Sequence, residues 1–408
     1  MTEPATSPWA SRSRIALALM ASILLVGAGL AWRWSARRDR EQAEAIAAIE
    51  AAGGSVIRAR DWPAARPSNS RAVKFLPIGI VRIIGLDFSD QVVAVQGRGK
   101  LDDAAMSHVA RLGGLESVNL DGCKGVTDAG LAQLTGLRRL RSLALPGTVA
   151  TGSSLRHLAG LHELQLLDLV GVPLADADLA HLAGLRQMRK LSISGESLTD
   201  AGLVHVRGLT SMERFGITDA PKVTGEGFVH LRGWVRLESI NMTGTGVAGL
   251  EKLPTLPALY NIYLSRTAVT DAGLAPITRV AGLLTLELAE TAITDACLTT
   301  IGKLPRLMNL NLKQTKITDD GLARIAGLTR IADLNLEGTA IGDAGLPHLA
   351  AMASLQRLFL GETRVSDAGL PLLAPLTQCS LVGAYGTGVT AEGAASFMNA
   401  HPQTQIVR

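Results

Sequence analysis

Hydrophobic residues recur along the chain in one pattern between Leu115 and Leu376, and its copies at Leu307, Ile331 and Leu355 start 24 residues apart. Each copy reads Leu-x-x-Leu-x-Leu, then a short turn, then Thr-Asp, then leucines three apart. Two leucines separated by one residue predict a short strand that buries alternate side chains. Thr-Asp predicts the start of a helix, where either side chain can cap a free amide. The leucines three apart predict the buried stripe of that helix. Each copy therefore predicts a strand, a turn and a helix.

A fixed period of this length is typical of a solenoid, because stacked repeats bury a core that no single repeat can bury alone. The predicted fold is an α/β solenoid with parallel strands on the inside of a curve and helices on the outside. A degenerate copy precedes the regular ones from Val92, and another follows them at 382–395. The clear copies begin at Leu115, Leu140, Leu164, Met188, Met212, Leu237, Leu259, Leu283, Leu307, Ile331 and Leu355.

The repeat resembles a known family. The segment 115–123 (LESVNLDGC) followed by 126–131 (VTDAGL) is similar to a leucine-rich repeat of the cysteine-containing type. The resemblance implies a leucine-rich-repeat horseshoe over nearly the whole chain. The layout also resembles membrane-anchored repeat proteins of planctomycete-like bacteria, which carry TDAGL repeats behind an N-terminal span. Most copies have threonine at the position of Cys123, namely Thr148, Thr245, Thr267, Thr291, Thr315, Thr339, Thr363 and Thr387.

Residues 15–32 form an uncharged apolar run that ends near Trp32 and Trp34. As a helix it would measure roughly 27 Å, which predicts a transmembrane anchor and a single-pass protein of the cell membrane. A cleaved signal peptide is the alternative, because Arg12 and Arg14 precede the run and small residues end it. Four arginines follow the run, so the positive-inside rule and the basic leader disagree about which side the repeats face. That side stays open, and so does cleavage.

The segments on either side of the repeats complete the predicted organisation. Residues 33–54 have strong helix formers and end at Gly53-Gly54, which predicts a charged helical linker. The apolar stretch 75–86 is too short to span a membrane and predicts a capping segment over the first repeat. The predicted domains are a tail (1–14), the anchor (15–32), the linker (33–54), an N-terminal cap segment (55–91), the solenoid (92–377) and a degenerate last repeat with a C-terminal cap (378–408).

The composition excludes some classes of function but does not identify the function. Hydrophobic residues make up 47% of the chain and aromatic residues 3%, so the core is aliphatic. The net charge of +4 is small for this length and has no basic block in the repeats, which argues against a nucleic-acid partner. The three cysteines, Cys123, Cys297 and Cys379, are too few and too scattered for a disulfide framework. No G-x-S-x-G or P-loop motif occurs, and no catalytic residues, metal site or cofactor are predicted.

Two patterns that suggest other chemistry have simpler explanations. Histidines recur at one repeat position, but parallel side chains one repeat apart do not converge on one metal ion. They are His108, His157, His181, His205, His230 and His348. Gly244, Gly246 and Gly249 match a dinucleotide fingerprint, yet they lie in the turn of the shortest repeat, outside a wider nucleotide fold. The recurrent aspartates are explained as helix-start residues, favoured by capping and by the helix dipole.

The residue between the two strand leucines points away from the core and forms the concave strand face, where a partner is expected. This column is polar apart from Tyr263 and Phe359, and exposed aromatic residues commonly anchor interfaces. The predicted partner-binding residues are Asn119, Asp168, Ser192, Asn241, Tyr263, Glu287, Asn311, Asn335 and Phe359.

The sequence thus predicts a membrane-tethered interaction scaffold that binds a protein or peptide on its concave face and is not an enzyme. The alternative is a structural spacer or self-assembly element of the cell envelope without a discrete ligand. The partner's identity and the oligomeric state are not determined by the sequence.

Overall fold

One sheet runs along the solenoid. The computed structural model describes Val26, Leu30, Arg33 and residues 36–61 and 91–408. Its 15 strands follow one another in chain order. β1 and β2 pair antiparallel, and from β2 onward each strand pairs in parallel with the next. The strands are β1 Ser55–Arg58, β2 Val92–Gln96, β3 Ser117–Asn119, β4 Ser142–Ala144, β5 Leu166–Leu169, β6 Lys190–Ser194, β7 Arg214–Thr218, β8 Ser239–Asn241, β9 Asn261–Tyr263, β10 Thr285–Glu287, β11 Asn309–Asn311, β12 Asp333–Asn335, β13 Arg357–Phe359, β14 Leu381–Gly383 and β15 Gln405–Val407.

Most segments that connect the strands contain a helix, as predicted, but many of these are 3-10 helices, and residues 242–260 between β8 and β9 contain no helix. A 3-10 helix rises about 2.0 Å per residue against about 1.5 Å for an α-helix, so few residues span the back of a repeat. The α-helices are residues 36–51, Asp103–Val109, Asp128–Ala132, Leu203–Val206, Asp295–Ile301, Asp319–Leu322 and Ala391–Ala400. The 3-10 segments are Ala59–Asp61, Gln133–Gly136, Gly152–His157, Asp176–Leu182, Asp200–Gly202, Glu226–Gly233, Ala275–Arg279, Ala323–Ile325, Asp343–Leu349 and Leu370–Leu373.

The core lies between the sheet and these helical segments. The central residue of each three-residue strand points inward, and its equivalents in neighbouring repeats are in register, as for Leu286, Leu310 and Leu334. All three are buried, and so are the leucines of the helical segments except Leu372. The face of the sheet away from this core carries the other strand side chains. We call it the open face; it corresponds to the predicted concave face.

The threonines at the cysteine position share one buried contact. Thr315 donates from Oγ1 to the carbonyl oxygen of Leu312 at 2.6 Å. The hydroxyl thus satisfies a carbonyl at the end of the strand, where an unpaired buried acceptor would destabilise the turn. Equivalent bonds are made by Thr148, Thr245, Thr267, Thr291, Thr339, Thr363 and Thr387.

The two residues of the Thr-Asp pair form hydrogen bonds in different repeats. Thr294 caps its own helix by accepting from the Ala296 amide at 3.3 Å. Asp295 instead accepts from the amide and the hydroxyl of Thr318 in the next repeat, at 2.8 and 2.6 Å. The explanation of these aspartates as helix-start residues is therefore incomplete, because their carboxylates also join neighbouring repeats. The same bridge occurs in Asp103–Thr127, Asp128–Thr151, Asp176–Thr199, Asp200–Thr224, Asp271–Thr294, Asp343–Ser366 and Asp367–Thr390.

The N-terminal end of the solenoid is covered by a helix and a strand. The helix at residues 36–51, part of the predicted linker, buries Ala45 and Ile49 in the same core as Leu101 of the first repeat. β1 then pairs with the outer edge of β2. The predicted capping stretch 75–86 lies outside the described residues.

The C-terminal end has one more strand than the sequence pattern indicates. After the helix Ala391–Ala400 the chain returns to the sheet as β15, in parallel with β14. Phe397 and Ile406 close the end of the core, and Thr404 donates to the Cys379 carbonyl at 2.7 Å. The residues around Ile406 are mostly polar, so the leucine periodicity does not predict this strand.

The predicted location as a single-pass membrane protein is contradicted. Across the part of the chain that the structure describes, no helix combines the length and the apolar character that crossing a membrane requires. The predicted span, residues 15–32, lies outside the described residues except for Val26 and Leu30.

Candidate binding surface on the open face of the sheet

The predicted partner-binding residues lie in one row across the open face. Parallel register places Tyr263 beside Glu287, Glu287 beside Asn311, and Asn335 beside Phe359. The earlier members of the row stand at the same strand position in the preceding repeats. These side chains are partly exposed. The structure therefore brings the column together as one surface, and its role in binding stays a prediction.

The asparagines of this row have fixed orientations. Asn311 and Asn335 each accept, through Oδ1, the backbone amide two residues later, at 3.0 and 2.9 Å. Asn119 and Asn241 make the same contact at 2.8 and 2.9 Å. This local bond engages the amide oxygen and leaves the Nδ2 group as a donor, which in Asn311 is bound to Glu287. The row therefore presents N–H groups suited to carbonyl or carboxylate oxygens.

Glu287 is the desolvated carboxylate of the row. Its Oε2 accepts from Asn311 Nδ2 at 2.5 Å. Burial raises the pKa of Glu287 above its usual range, and the Asn311 hydrogen bond only partly offsets this. Burial also raises the pKa of Tyr263, and the nearby Glu287 charge adds to the effect. No cationic side chain among the described residues pairs with Glu287.

Other carboxylates on this part of the open face are neutralised by cations. Glu337 lies 2.9 Å from Lys313 Nζ. Asp333 forms a two-point ion pair with Arg357, in which the second contact, from Nη2 to Oδ2, is 2.7 Å. Glu287 differs from both, because an amide rather than a cation satisfies it.

The Glu287 charge is expected to lower the stability of the folded chain at neutral pH. A raised pKa means that the folded state holds this proton more tightly than the unfolded state, so its contribution improves as pH falls through the folded pKa. We expect Glu287→Gln to raise the midpoint of urea unfolding at pH 7, and the difference to vanish once the carboxyl is protonated. Glu290→Gln, at an exposed turn of the same repeat, should change little. A Glu287→Gln variant less stable than the wild type at both pH values would contradict this account.

Tyr385 is a part of this surface that the sequence reasoning missed. Its ring lies over Gly361, where a methyl group would collide with the ring carbons, and its hydroxyl is hydrogen-bonded to Glu337. Beside it, the Phe359 ring lies against Gly383, so each aromatic ring uses the space above a neighbouring glycine. Tyr385 lies two residues after Gly383, which occupies the row position in the degenerate last copy. Because side chains alternate along a strand, Tyr385 is the next outward-facing position, and extending the prediction by that one position would have included it.

A second missed feature is an apolar rim along the edge of this surface. It consists of Tyr260, Leu284, Met308 and Ala332, which immediately precede strands β9 to β12. Backbone hydrogen bonds join these positions from one repeat to the next. Met308 is 37% exposed, which is unusual for a large apolar side chain in this chain.

In the earlier repeats the rim position is polar or charged. Arg141 pairs there with Glu116 at 3.1 Å, and Arg189 pairs with Glu213 at 2.7 Å. The change to apolar residues coincides with the repeats that carry Tyr263 and Glu287. Contiguous apolar side chains along an exposed edge are a feature of interaction surfaces.

Other reactive groups do not gather into a second site within the described residues. All three cysteines are buried, and burial raises the pKa of Cys297 to about 12, so its thiolate is not populated at neutral pH. No group of three or more histidine, cysteine or acidic side chains there has an arrangement that could hold a metal ion.

Comparisons with known proteins identify the fold. No protein-family model matches the chain, and no curated protein matches it. Among solved structures it is similar to the internalin InlF of Listeria monocytogenes, with 18% identity and a TM-score of 0.57, over 80% of this chain and 92% of that one. It is also similar to a leucine-rich-repeat protein of Leptospira interrogans, with 16% identity and a TM-score of 0.47, over 74% and 92%.

The similarity to the internalin shows the fold alone. Together with the register of the sheet, it confirms the prediction of a leucine-rich-repeat solenoid. The cysteine-containing subtype stays a prediction.

Proposed function

We propose that this chain is an interaction scaffold that binds an extended peptide segment of a protein partner on the open face between β9 and β14. The observation that carries the proposal is that the apolar rim along β9 to β12 lies between Tyr263 at one end and Phe359 and Tyr385, in the next two repeats, at the other. Exposed aromatic residues surrounded by polar ones are the usual anchors of interfaces. The earlier repeats, by contrast, have a polar or charged rim and no aromatic side chain in this row.

The dimensions of the surface suit a short peptide. Tyr263 and Phe359 lie on strands four apart, which corresponds to roughly 19 Å at the usual spacing of strands. An extended peptide of about six residues covers that distance. Asn335 lies between the two aromatic rings, and a local hydrogen bond holds its amide oxygen, so its Nδ2 group could bind a peptide carbonyl group.

The mechanism is binding to a surface that is already ordered. The rows of the open face are set by parallel register, and the asparagine and glutamate side chains are held by hydrogen bonds before any ligand arrives. Less conformational entropy is therefore lost on binding than on a flexible loop surface. No chemical step is proposed for this site.

We also infer the repeat subtype from its motifs. The threonines stand where the cysteine-containing repeat has its cysteine, and their hydroxyls bond the carbonyl three residues earlier, so threonine can replace cysteine without leaving that carbonyl unpaired. The likeness of the layout to planctomycete-like repeat proteins is a hypothesis of the same kind, here limited to the repeats.

The test is selection of a phage-displayed library of random dodecapeptides on the immobilised full chain. We expect the wild type to enrich peptides that the double variant Tyr263→Ala/Phe359→Ala does not retain, with at least a tenfold loss of affinity for the selected peptides. Two aromatic anchors at the centre of an interface typically contribute more than about 1.4 kcal/mol together.

The matched control is Asn119→Ala/Ser192→Ala, which truncates two side chains of the same row outside the proposed segment. It should keep the affinity of the wild type, and circular dichroism should show that both double variants are folded. If the wild type enriches nothing beyond the Tyr263→Ala/Phe359→Ala variant, the scaffold proposal is wrong, and the solenoid is better regarded as a structural spacer.

A further inference from the structure

Glu287 has the features of a subsite for a positively charged group. One of its oxygens accepts from Asn311, and its other oxygen has no partner among the described residues. Elsewhere on the open face, Glu337 and Asp333 are paired with cations from this same chain. A carboxylate that is partly removed from water and lacks a cation is complementary to a cation supplied by a ligand.

The residues around Glu287 suit a long basic side chain. Tyr263 lies directly beside it in register, and the face of an aromatic ring attracts ammonium and guanidinium groups. The rim residues Leu284 and Met308 lie three positions earlier than Glu287 and Asn311 along the chain, roughly 10 Å away. Apolar surface at that distance can cover the aliphatic part of a lysine or arginine and the chain beside it.

We propose that Glu287, flanked by Tyr263 and Asn311, receives a lysine or arginine side chain of the bound peptide. This inference rests on the proposed function and names the chemistry of the partner. An acidic side chain would be repelled by Glu287, and a neutral one would leave its charge uncompensated. The charges of Glu337 and Asp333 are already paired within the chain, so the uncompensated charge of Glu287 favours a basic side chain.

The experiment uses heptapeptide pools with blocked termini and a fluorescent label. The central residue is arginine, citrulline or glutamate, and the remaining positions are random but contain no basic residues. Citrulline keeps the shape of arginine and loses only its charge. Binding to the full chain is measured by fluorescence polarisation. We expect the arginine pool to bind about tenfold more tightly than the citrulline pool.

Glu287→Gln should abolish this difference, since glutamine can still accept from Asn311 but carries no charge to pair with arginine. Glu290→Gln removes the same charge from the same repeat away from the subsite, and it should retain the preference for arginine. This control separates a specific contact from a change in net charge.

The outcomes distinguish this inference from the function on which it rests. Equal binding of the arginine and citrulline pools, or a preference for the glutamate pool, overturns the inference and leaves peptide binding intact. A preference for arginine that survives Glu287→Gln overturns it too. If no pool binds the wild type more tightly than the Tyr263→Ala/Phe359→Ala variant, both the inference and the proposed function fail.

Discussion

Replacing Trp234 with alanine is expected to lower the free energy of unfolding by about 3–5 kcal/mol. Trp234 is fully buried and packs edge to face on Phe215, with ring centroids 5.0 Å apart. It lies a few residues before β8. The equivalent position is leucine in most other repeats, such as Leu209 and Leu328. Alanine would leave a large cavity between two stacked repeats, and a close-packed core collapses only partly around such a cavity. Urea unfolding followed by circular dichroism measures the loss.

Trp234→Leu is the matched control, because it restores the residue typical of the position. The indole Nε1 is buried and has no hydrogen-bond partner among the described residues, so leucine also removes an unsatisfied donor. We expect a loss of about 1–2 kcal/mol, well below that of alanine. In the alanine variant, hydrogen exchange should show that local unfolding is centred on the repeats that contain Phe215 and Trp234, because a solenoid repeat contacts mainly its neighbours. Equal losses for both variants would show that cavity volume does not control stability here.

The second large effect is a strong coupling in a double-mutant cycle on the bridge between repeats. Asp295 accepts two hydrogen bonds from Thr318, and a methyl group on Gly321 would collide with its Oδ1. We expect Asp295→Ala to destabilise the chain by about 2–3 kcal/mol, because both donors lose a charged acceptor. Gly321→Ala should destabilise the wild type by about 1–2 kcal/mol through overpacking. In the Asp295→Ala background, the same substitution should cost less, because the contact with the carboxylate is gone and only Cδ1 of Leu298, 2.9 Å from the added methyl group, has to shift.

Urea unfolding of the wild type, both single variants and the double variant completes the cycle. Gly327→Ala serves as the control for the intrinsic effect of removing a glycine, since a methyl group there would meet no neighbouring atom. If Gly321→Ala changes the stability equally in both backgrounds, Asp295 does not restrict position 321, and the glycine of the Thr-Asp-x-Gly motif needs another explanation.

The regular part of the fold follows from the residues themselves. Leu310 and Leu312 alternate with Asn311, and the equivalent residues one period later repeat the alternation, so the faces of neighbouring strands and their register are specified together. This is why the row from Asn119 to Phe359 could be predicted as one surface before any contact was known. Glycine does not mark the left-handed turn position in every repeat, because Glu290 and Gln314 adopt the same left-handed conformation as Gly338.

The residues that were missed or assigned incompletely all depend on neighbours in another repeat. The period shows that Asp295 recurs, but not that its carboxylate bonds Thr318. Tyr385 was passed over because its copy departs from the leucine pattern, although that pattern reports burial and says little about exposed positions. β15 was missed for a related reason, since Ile406 is an isolated apolar residue among polar ones.

The sequence by itself determined the solenoid, the order of its strands and the side chains that face away from the core. These follow from a hydrophobic period that is local to each repeat and is satisfied only by stacking. Tertiary structure alone decided which carboxylates are paired, which glycines make room for a ring or a carboxylate, and that the apolar rim borders the aromatic residues. Those outcomes depend on side-chain rotamers and distances across repeat boundaries, and hydrophobic periodicity carries no information about either. Glu287 is the clearest case: its position in the row could be predicted, but its lack of a cation could not.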